Sequence, residues 1–397
     1  MDLKDSPHEA AFRAEARAFL EGHAPAEPMP QYHKEFVGDE GLVERHREWQ
    51  QKLHAHGWGA LTWPKEYGGR GLGPIEQIIW NQELARAGLG LSLYMVGIGM
   101  AGPTLIAHGS DVQKQRHLEP ILRAEQGICQ LFSEPGAGSD LASLATRALR
   151  DGDEWVVSGQ KTWCSGATWA DYGILLARTD PAAPKRKGIS FFLVDMKTPG
   201  IEVRPLRQMT GDAHFNEVFL TEVRIPDSNR IGPEGAGWPV AQTTLMNERM
   251  AMAGADGLFV WEELREHARE NLGRIDGATR DELAKLYAWT RTLEMLNARV
   301  ITKLGRGEMP AAESSVMKLA MVRTVSLGSE LGLHMLGPEG LLRTGTWQQQ
   351  WLFSPAFHLA GGSDEVQKNL AAERVLGLPP EPGAVASDTP FEDLPRS

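Results

Sequence analysis

The feature that most restricts this chain is the order of its periodicities, which are helical, then strand-like, then helical again, in three separate blocks of 397 residues. In the first block Phe12, Ala16, Phe19 and Leu20 fall on one helical face. Leu42, His46, Trp49 and Leu53 repeat the pattern after the break at Pro25, Pro28 and Pro30. Helical texture continues over 76–86 and 111–123. From about 126 to 230, β-branched and aromatic runs at 155–157, 174–177, 189–194 and 218–223 alternate with turn signals, and Asp151-Gly152 and Ser158-Gly159 are predicted turn points. Beyond Gly237 the helical period returns. Leu283, Leu286, Tyr287, Leu293, Leu296 and Val300 share one face, and Val316, Ala320, Leu327 and Leu331 share another.

Segregated blocks predict an α+β fold and exclude the alternating βαβ pattern of a doubly wound sheet. The expected division is a helical domain over 1–125, a β-domain over 126–236, a second helical domain over 237–378 and a loose, proline-rich tail over 379–397. No Gly-x-Gly-x-x-Gly joins a strand to a helix, so a bound nucleotide or flavin would not use the Rossmann fingerprint.

A net charge of −11 argues against nucleic acid as a partner, because phosphate binding needs concentrated Lys and Arg. Cys129 and Cys164 lack metal-type spacing, which predicts no metal site and no disulfide framework and suits a reducing cytosol. The charged stretch Met1 to Glu21 lacks the apolar core of a signal peptide, and no run reaches the roughly 20 apolar residues of a membrane span. A cytoplasmic protein without membrane insertion is therefore expected.

Two segments carry chemistry. In Leu131-Phe132-Ser133-Glu134-Pro135-Gly136-Ala137-Gly138-Ser139-Asp140, the glycines let backbone amides approach an anion and the serines add hydroxyl donors. The same pattern also fits a plain surface turn. In Gly159-Gln160-Lys161-Thr162-Trp163-Cys164-Ser165, an indole and a hydroxyl two residues apart point to one side if the segment is a strand. A flat ring system could pack there, or Trp163 could simply fill a core.

Together with Gly57-Trp58, Trp63-Pro64-Lys65-Glu66-Tyr67-Gly68-Gly69, the run 188–194, Val223-Arg224-Ile225-Pro226 and Gly235-Ala236-Gly237-Trp238, these segments resemble the signature blocks of the acyl-CoA dehydrogenase family, in the same order from about residue 10 to 378. The resemblance implies an N-terminal helical domain, a middle β-barrel-like domain and a C-terminal four-helix bundle, with FAD where the three meet. It implies that Phe132, Ser133, Gly138 and Ser139 contact the flavin or the thioester, and that Trp163 and Ser165 cover the isoalloxazine. An acyl-CoA substrate, an electron-transfer flavoprotein as acceptor, and a homotetramer or a heterotetramer with a related subunit follow from the same resemblance.

Many relatives carry a glutamate base in the C-terminal motif, where this chain has His358-Leu359-Ala360-Gly361-Gly362-Ser363-Asp364-Glu365, with Gly361 at the base position. A second subset of the family keeps the base on the first C-terminal helix, and Asn247-Glu248-Arg249 matches it. Glu248 is thus implied as the α-proton base, with Arg249 beside the substrate, Gly361 offering its backbone N–H to the thioester oxygen and Ser363 near the cofactor. Asp364 and Glu365 are the rival acids. The usual Arg-x-x-Phe-Gly clamp for a neighbouring FAD is missing from Glu270 to Ala278, and Gly337 matches the other inter-subunit flavin contact loosely. These departures resemble bacterial subunits of mixed complexes, such as pimeloyl-CoA and steroid side-chain dehydrogenases. A catalytically silent subunit and an acyl-CoA oxidase are the competing readings.

Overall fold

The computed structural model describes residues 5–26, 29, 41–90, 92–252, 261–308, 311–379 and 388–394. Ahead of the sheet run α1 (Pro7–His23), α2 (Leu42–Ala55), α3 (Pro74–Arg86), a π-helical turn (Val96–Ala101), α4 (Gly102–His108) and α5 (Asp111–Leu122). Ser6 starts α1 and Ser110 starts α5 with reciprocal capping boxes through Glu9 and Gln113, which satisfy amides that the first turn leaves bare. The chain falls into two compact units. One takes in Met1–Glu35, Pro74–Gly90 and Ala253–Pro382, and the other takes in Phe36–Gly73, Leu91–Met252 and Gly383–Ser397.

The second unit holds the sheet. Its strands are β1 (Ile128–Leu131), β2 (Arg147–Asp151), β3 (Glu154–Lys161), β4 (Tyr172–Arg178), β5 (Ile189–Asp195), β6 (Ile201–Leu206), β7 (Phe215–Pro226) and β8 (Arg230–Ile231). They run in the order β6-β7-β3-β2-β4-β5-β8, with β1 paired to β4. Side-chain alternation splits the core between the two faces of β4 and β5. Ile174, Leu176, Phe191 and Leu193 join Trp63, Ala101, Leu105, Val240 and Ala241 on one face, while Leu175, Ala177, Phe192 and Val194 meet Trp155, Val157, Val218 and Val223 on the other. Strands buried on both sides explain why 174–177 and 189–194 read as unbroken apolar runs. Helix α6 (Gly237–Met252) follows the sheet and packs on β5, α4 and the π-helical turn.

Asp151-Gly152 is the predicted hairpin, with Asp151 opposite Glu154 and Gly152 at φ +64°. Ser158-Gly159 is not a turn, because β3 runs straight through it. The irregularity lies in β7, where Glu222 adopts φ +51° and its amide donates to Ser158 Oγ at 3.1 Å. Gly159 is needed for close approach instead, since a Cβ there would stand 2.3 Å from Thr146 Oγ1.

The first unit is helical. Helix α9 (Ala311–Leu336) packs against α7 (Trp261–Glu270), α8 (Gly277–Gly305), α10 (Thr346–Leu359) and α11 (Asp364–Leu370), around Leu264, Leu286, Leu331, Met335 and Trp347. Helix α1 lies on α3, where the buried Glu83 carboxylate binds Arg13, Arg17 and Arg86 at 2.7–3.3 Å. The predicted faces of α1 and α2 are buried as expected. Tyr287 and Val316 instead turn outward, and Val322, Val325 and Met335 fill the α9 side of the core. The tail departs from expectation over 388–394. The amides of Phe391 and Glu392 donate to the carbonyls of Ala183 and Pro181, and Arg178 lies 3.5 Å over the Phe391 ring, so this stretch is docked on the sheet unit. Among the described residues no helix is long and apolar enough to cross a membrane.

Candidate active site

The glycine-rich segment leaves β1 and is tied down from beneath. Lys161, wholly buried at the end of β3, donates to the Phe132 carbonyl at 3.0 Å and to the Glu134 carboxylate at 2.8 Å. Glu134 also accepts the amides of Ala145 and Thr146 at 2.7 and 2.9 Å, and the Ser133 carbonyl accepts the Thr162 amide at 2.9 Å. Burial would raise the Glu134 carboxyl, but the Lys161 ammonium and these donors hold it below the usual range. Burial pulls the Lys161 ammonium below an ordinary lysine, and Glu134 partly offsets that. Sequence reading missed this pair. Its signal was parity, because Trp155, Val157, Gly159 and Lys161 alternate onto one face of β3.

With its carbonyls engaged inside, the loop presents Gly136, Gly138 and Ser139 outward. Their amides meet no backbone acceptor among the described residues, and a Cβ at Gly138 would meet nothing within 4 Å. A cradle of unengaged amides and hydroxyls suits a pyrophosphate or the polar edge of a flavin. Ser133 is half-buried at its mouth, whereas Phe132 is buried edge-on to Phe191 at 5.7 Å and supports the loop from the core side.

Trp163 and Ser165 lie beyond the end of β3, so strand alternation does not align them. Trp163 adopts φ +60°, a strained left-handed backbone for a bulky residue, and the next amide, of Cys164, donates to the Asn216 carbonyl at 2.9 Å. The indole is 54% exposed and edge-on to Phe215, which rules out the core-filling role. A flat apolar ring held outward at a strained position is suited to stacking on a planar cofactor. Ser165, two residues on, is half-buried.

Glu248 lies on the inward stripe of α6. Thr244, four residues before it, shares a 2.8 Å hydrogen bond with Thr104 of α4, and Ala251, three residues after it, abuts Gly99. Burial pushes the Glu248 carboxyl above the ordinary glutamate range, and the neighbouring Arg249 only partly opposes this. Arg249 itself is exposed. The small residues of 97–102 serve close packing, and only Gly99 among these glycines faces this stripe: a Cβ at Gly97 would press on Ile121, one at Gly99 on Ala251, and one at Gly102 would enter the Trp63 ring.

The remaining predicted residues belong to the helical unit. Gly361 and Gly362 form a left-handed turn at φ +66° and +90°, closed by Gln367 Nε2 donating to the Gly361 carbonyl at 2.9 Å. Ser363 caps α11, its hydroxyl accepting the Val366 amide at 3.4 Å. Asp364 is engaged by His358 Nδ1 at 2.7 Å and Lys318 at 3.4 Å, and Glu365 is exposed. Gly337, at φ +62°, ends α9 beside Arg274, whose guanidinium donates to the Met335 and Leu336 carbonyls. Arg274 thus lies on its own subunit's helix end, within the stretch that lacks the usual clamp.

Three comparisons bear on this arrangement. The N-terminal, middle and C-terminal domains of acyl-CoA dehydrogenase match residues 6–125, 129–223 and 235–376. Acyl-CoA dehydrogenase FadE34 of Mycobacterium tuberculosis (strain ATCC 25618 / H37Rv) is 44% identical over 81% of this chain, which spans only 44% of that longer protein. Acyl-CoA dehydrogenase IpdE1 of the same organism is 37% identical over 93% of this chain and 98% of its own length. Among solved structures, the Tcur3481-Tcur3483 steroid ACAD matches with a TM-score of 0.85 and 34% identity over 96% of this chain and all of its own. The ChsE4-ChsE5 complex from Mycobacterium tuberculosis matches at 0.80 and 30% over 96% and 100%. The helical–sheet–helical order, the tied glycine loop and the matched domains agree, and the chain belongs to the acyl-CoA dehydrogenase family of flavin-dependent oxidoreductases.

Proposed function

We propose that this protein desaturates a fatty or steroid-like acyl-CoA thioester between its α and β carbons, with Glu248 as the base. The observation that carries this reading is the position of Glu248 on the inward stripe of α6, with burial raising its carboxyl toward working pH. FAD, when bound, supplies the hydride acceptor that no side chain can provide. The amides of Gly136, Gly138 and Ser139 and the hydroxyls of Ser133 and Ser139 would hold its polar edge, with Trp163 covering the ring system and Ser165 near its reactive edge. Ser139 and Arg249 would also meet the substrate, and the Gly361 amide would steady negative charge on the thioester oxygen. Gly337 and Ser363 would contribute cofactor contacts from the helical unit. An electron-transfer flavoprotein would reoxidise the enzyme.

The test is Glu248→Gln. Retained flavin colour with acyl-CoA bleaching slowed by about 10²–10⁴-fold is expected for loss of a positioned base, and unchanged bleaching would remove the assignment. A second reading is a subunit that binds flavin and depends on a related chain for chemistry. It is favoured by the likeness to the ChsE4-ChsE5 complex. In that case the isolated wild-type chain would bind flavin, yet no acyl-CoA would bleach it.

A further inference from the structure

The Trp63-Pro64-Lys65-Glu66-Tyr67-Gly68-Gly69 segment is a signature without a role in the site described so far. Its indole reaches the π-helical turn that α6 packs against, donating from Nε1 to the Ile98 carbonyl at 2.8 Å. The reason for that bond lies in the chain. The Gly102 amide bonds the Gly97 carbonyl, five residues back, so the turn is one residue wider than an α-helical turn. In the same pattern the Ile98 carbonyl would need the amide of residue 103, which is Pro103 and has none. Trp63 fills that vacancy, and the space for its ring exists because residue 102 is glycine: a Cβ there would lie 1.9 Å from the indole. Two further bonds fix the turn from its other end, as Thr104 Oγ1 donates to the Met100 carbonyl at 2.8 Å and meets Thr244 of α6 at 2.8 Å.

We infer that Trp63 is a positioning residue, which by holding the Ile98 carbonyl keeps the 96–101 turn π-helical against the Glu248 stripe of α6 and so sets which acyl chains reach that carboxylate. The inference rests on the proposed role of Glu248. Thr244 and Ala251 flank Glu248 on one helical stripe; Ala251 touches the turn at Gly99, and Thr244 reaches it through Thr104 of α4, whose hydroxyl bonds the Met100 carbonyl. A change in the width of the turn therefore moves the wall beside Glu248 without touching the glycine loop that would hold the flavin. Trp63 meets no reacting atom in this scheme and acts through the backbone it anchors.

Trp63→Phe keeps most of the ring and removes only the donor. The experiment measures equilibrium binding and flavin bleaching of the flavin-loaded protein with straight-chain and ring-bearing acyl-CoAs. Expected for Trp63→Phe is an unchanged flavin content and visible spectrum, with the affinity ratio between the two substrate classes shifted about tenfold, the scale of one unsatisfied buried carbonyl. KM should move more than kcat. Pro103→Ala supplies the missing amide, so the double variant should return toward the wild-type ratio, a rescue that general loss of packing would not give. An unchanged ratio in Trp63→Phe, or a changed ratio that Pro103→Ala leaves as it is, overturns the inference. Wild-type protein that binds acyl-CoA but is never bleached sinks the dehydrogenase reading alone, because the binding ratios still decide the role of Trp63. Absence of any acyl-CoA binding overturns both.

Discussion

Glu248 stands on the inward stripe of a 16-residue helix, whereas Gly361 stands in an exposed two-glycine turn at φ +66°. The motif resemblance singles out both as candidate positions for the base, and they are built on different physics. At 248 the carboxyl is raised by burial, which is the environment a general base needs. At 361 space is not limiting, because a Cβ would meet nothing within 4 Å. What excludes a side chain there is the left-handed backbone, which glycine adopts without the cost other residues carry. A half-buried carboxyl thus marks one position, and a backbone conformation marks the other.

The sharpest way to break that contrast is the pH dependence of bleaching. A base whose pKa lies above the ordinary glutamate value is protonated, and idle, below it. Bleaching should therefore fall about tenfold per pH unit on the acid side of the raised pKa and level off above it. Stopped-flow traces across pH check this, and the profile should be the same in Gly361→Ala. A profile that Glu248→Asp leaves unshifted would remove the assignment, since neither glycine nor alanine at 361 can take the proton.

The next effect concerns a charge that is wholly buried. Lys161→Met leaves Glu134 as an uncompensated carboxylate beneath the glycine loop, and removal of one partner from a buried pair costs about 3–5 kcal/mol. Denaturant unfolding of the apoprotein should register that loss, together with weaker FAD retention. A stable Lys161→Met protein with full flavin would show that the loop does not depend on the pair.

Much of this architecture was legible from periodicity. The faces of α1 and α2, the four strong strands and the Asp151-Gly152 hairpin all follow from local pattern. Three features were not legible, each for a physical reason. The bulge at Glu222 belongs to the partner strand, so Ser158-Gly159 resembled a turn. The left-handed backbone at Trp163 is imposed by a tertiary setting in which the Cys164 amide bonds Asn216, so strand alternation misplaced Ser165. The π-helical turn required reading Gly102, Pro103 and Trp63 together, residues separated by a whole helix. At the site, motif order pointed to the loop and to Glu248 as candidates, but the Lys161–Glu134 support emerged only from side-chain parity combined with burial.

A smaller effect sharpens the turn side of the comparison. Gly361→Ala places a Cβ at φ +66°, for which the left-handed penalty is about 1–2 kcal/mol. Urea unfolding should detect this loss while flavin binding persists. A neutral Gly361→Ala would mean that the turn relaxes to a negative φ, and that the backbone places no bar on an acidic residue at 361.

The smallest expected effect separates Asp364 from the chemistry. Burial would raise its carboxyl, but the hydrogen bond from His358 and the Lys318 ammonium outweigh this and hold it below its ordinary value. A depressed folded-state pKa contributes stability that is present above the unfolded value of 3.8 and is lost as pH falls through the lowered one. Asp364→Asn should therefore cost up to about 1 kcal/mol near neutral pH, as for a partly exposed ion pair, and that difference should shrink as the solution is acidified below the unfolded value. Bleaching by acyl-CoA should be unaffected, since a carboxylate already engaged by the His358 ring and the Lys318 ammonium is a poor proton acceptor. If Asp364→Asn abolished bleaching while Glu248→Gln spared it, the base would belong to α11 and not to α6.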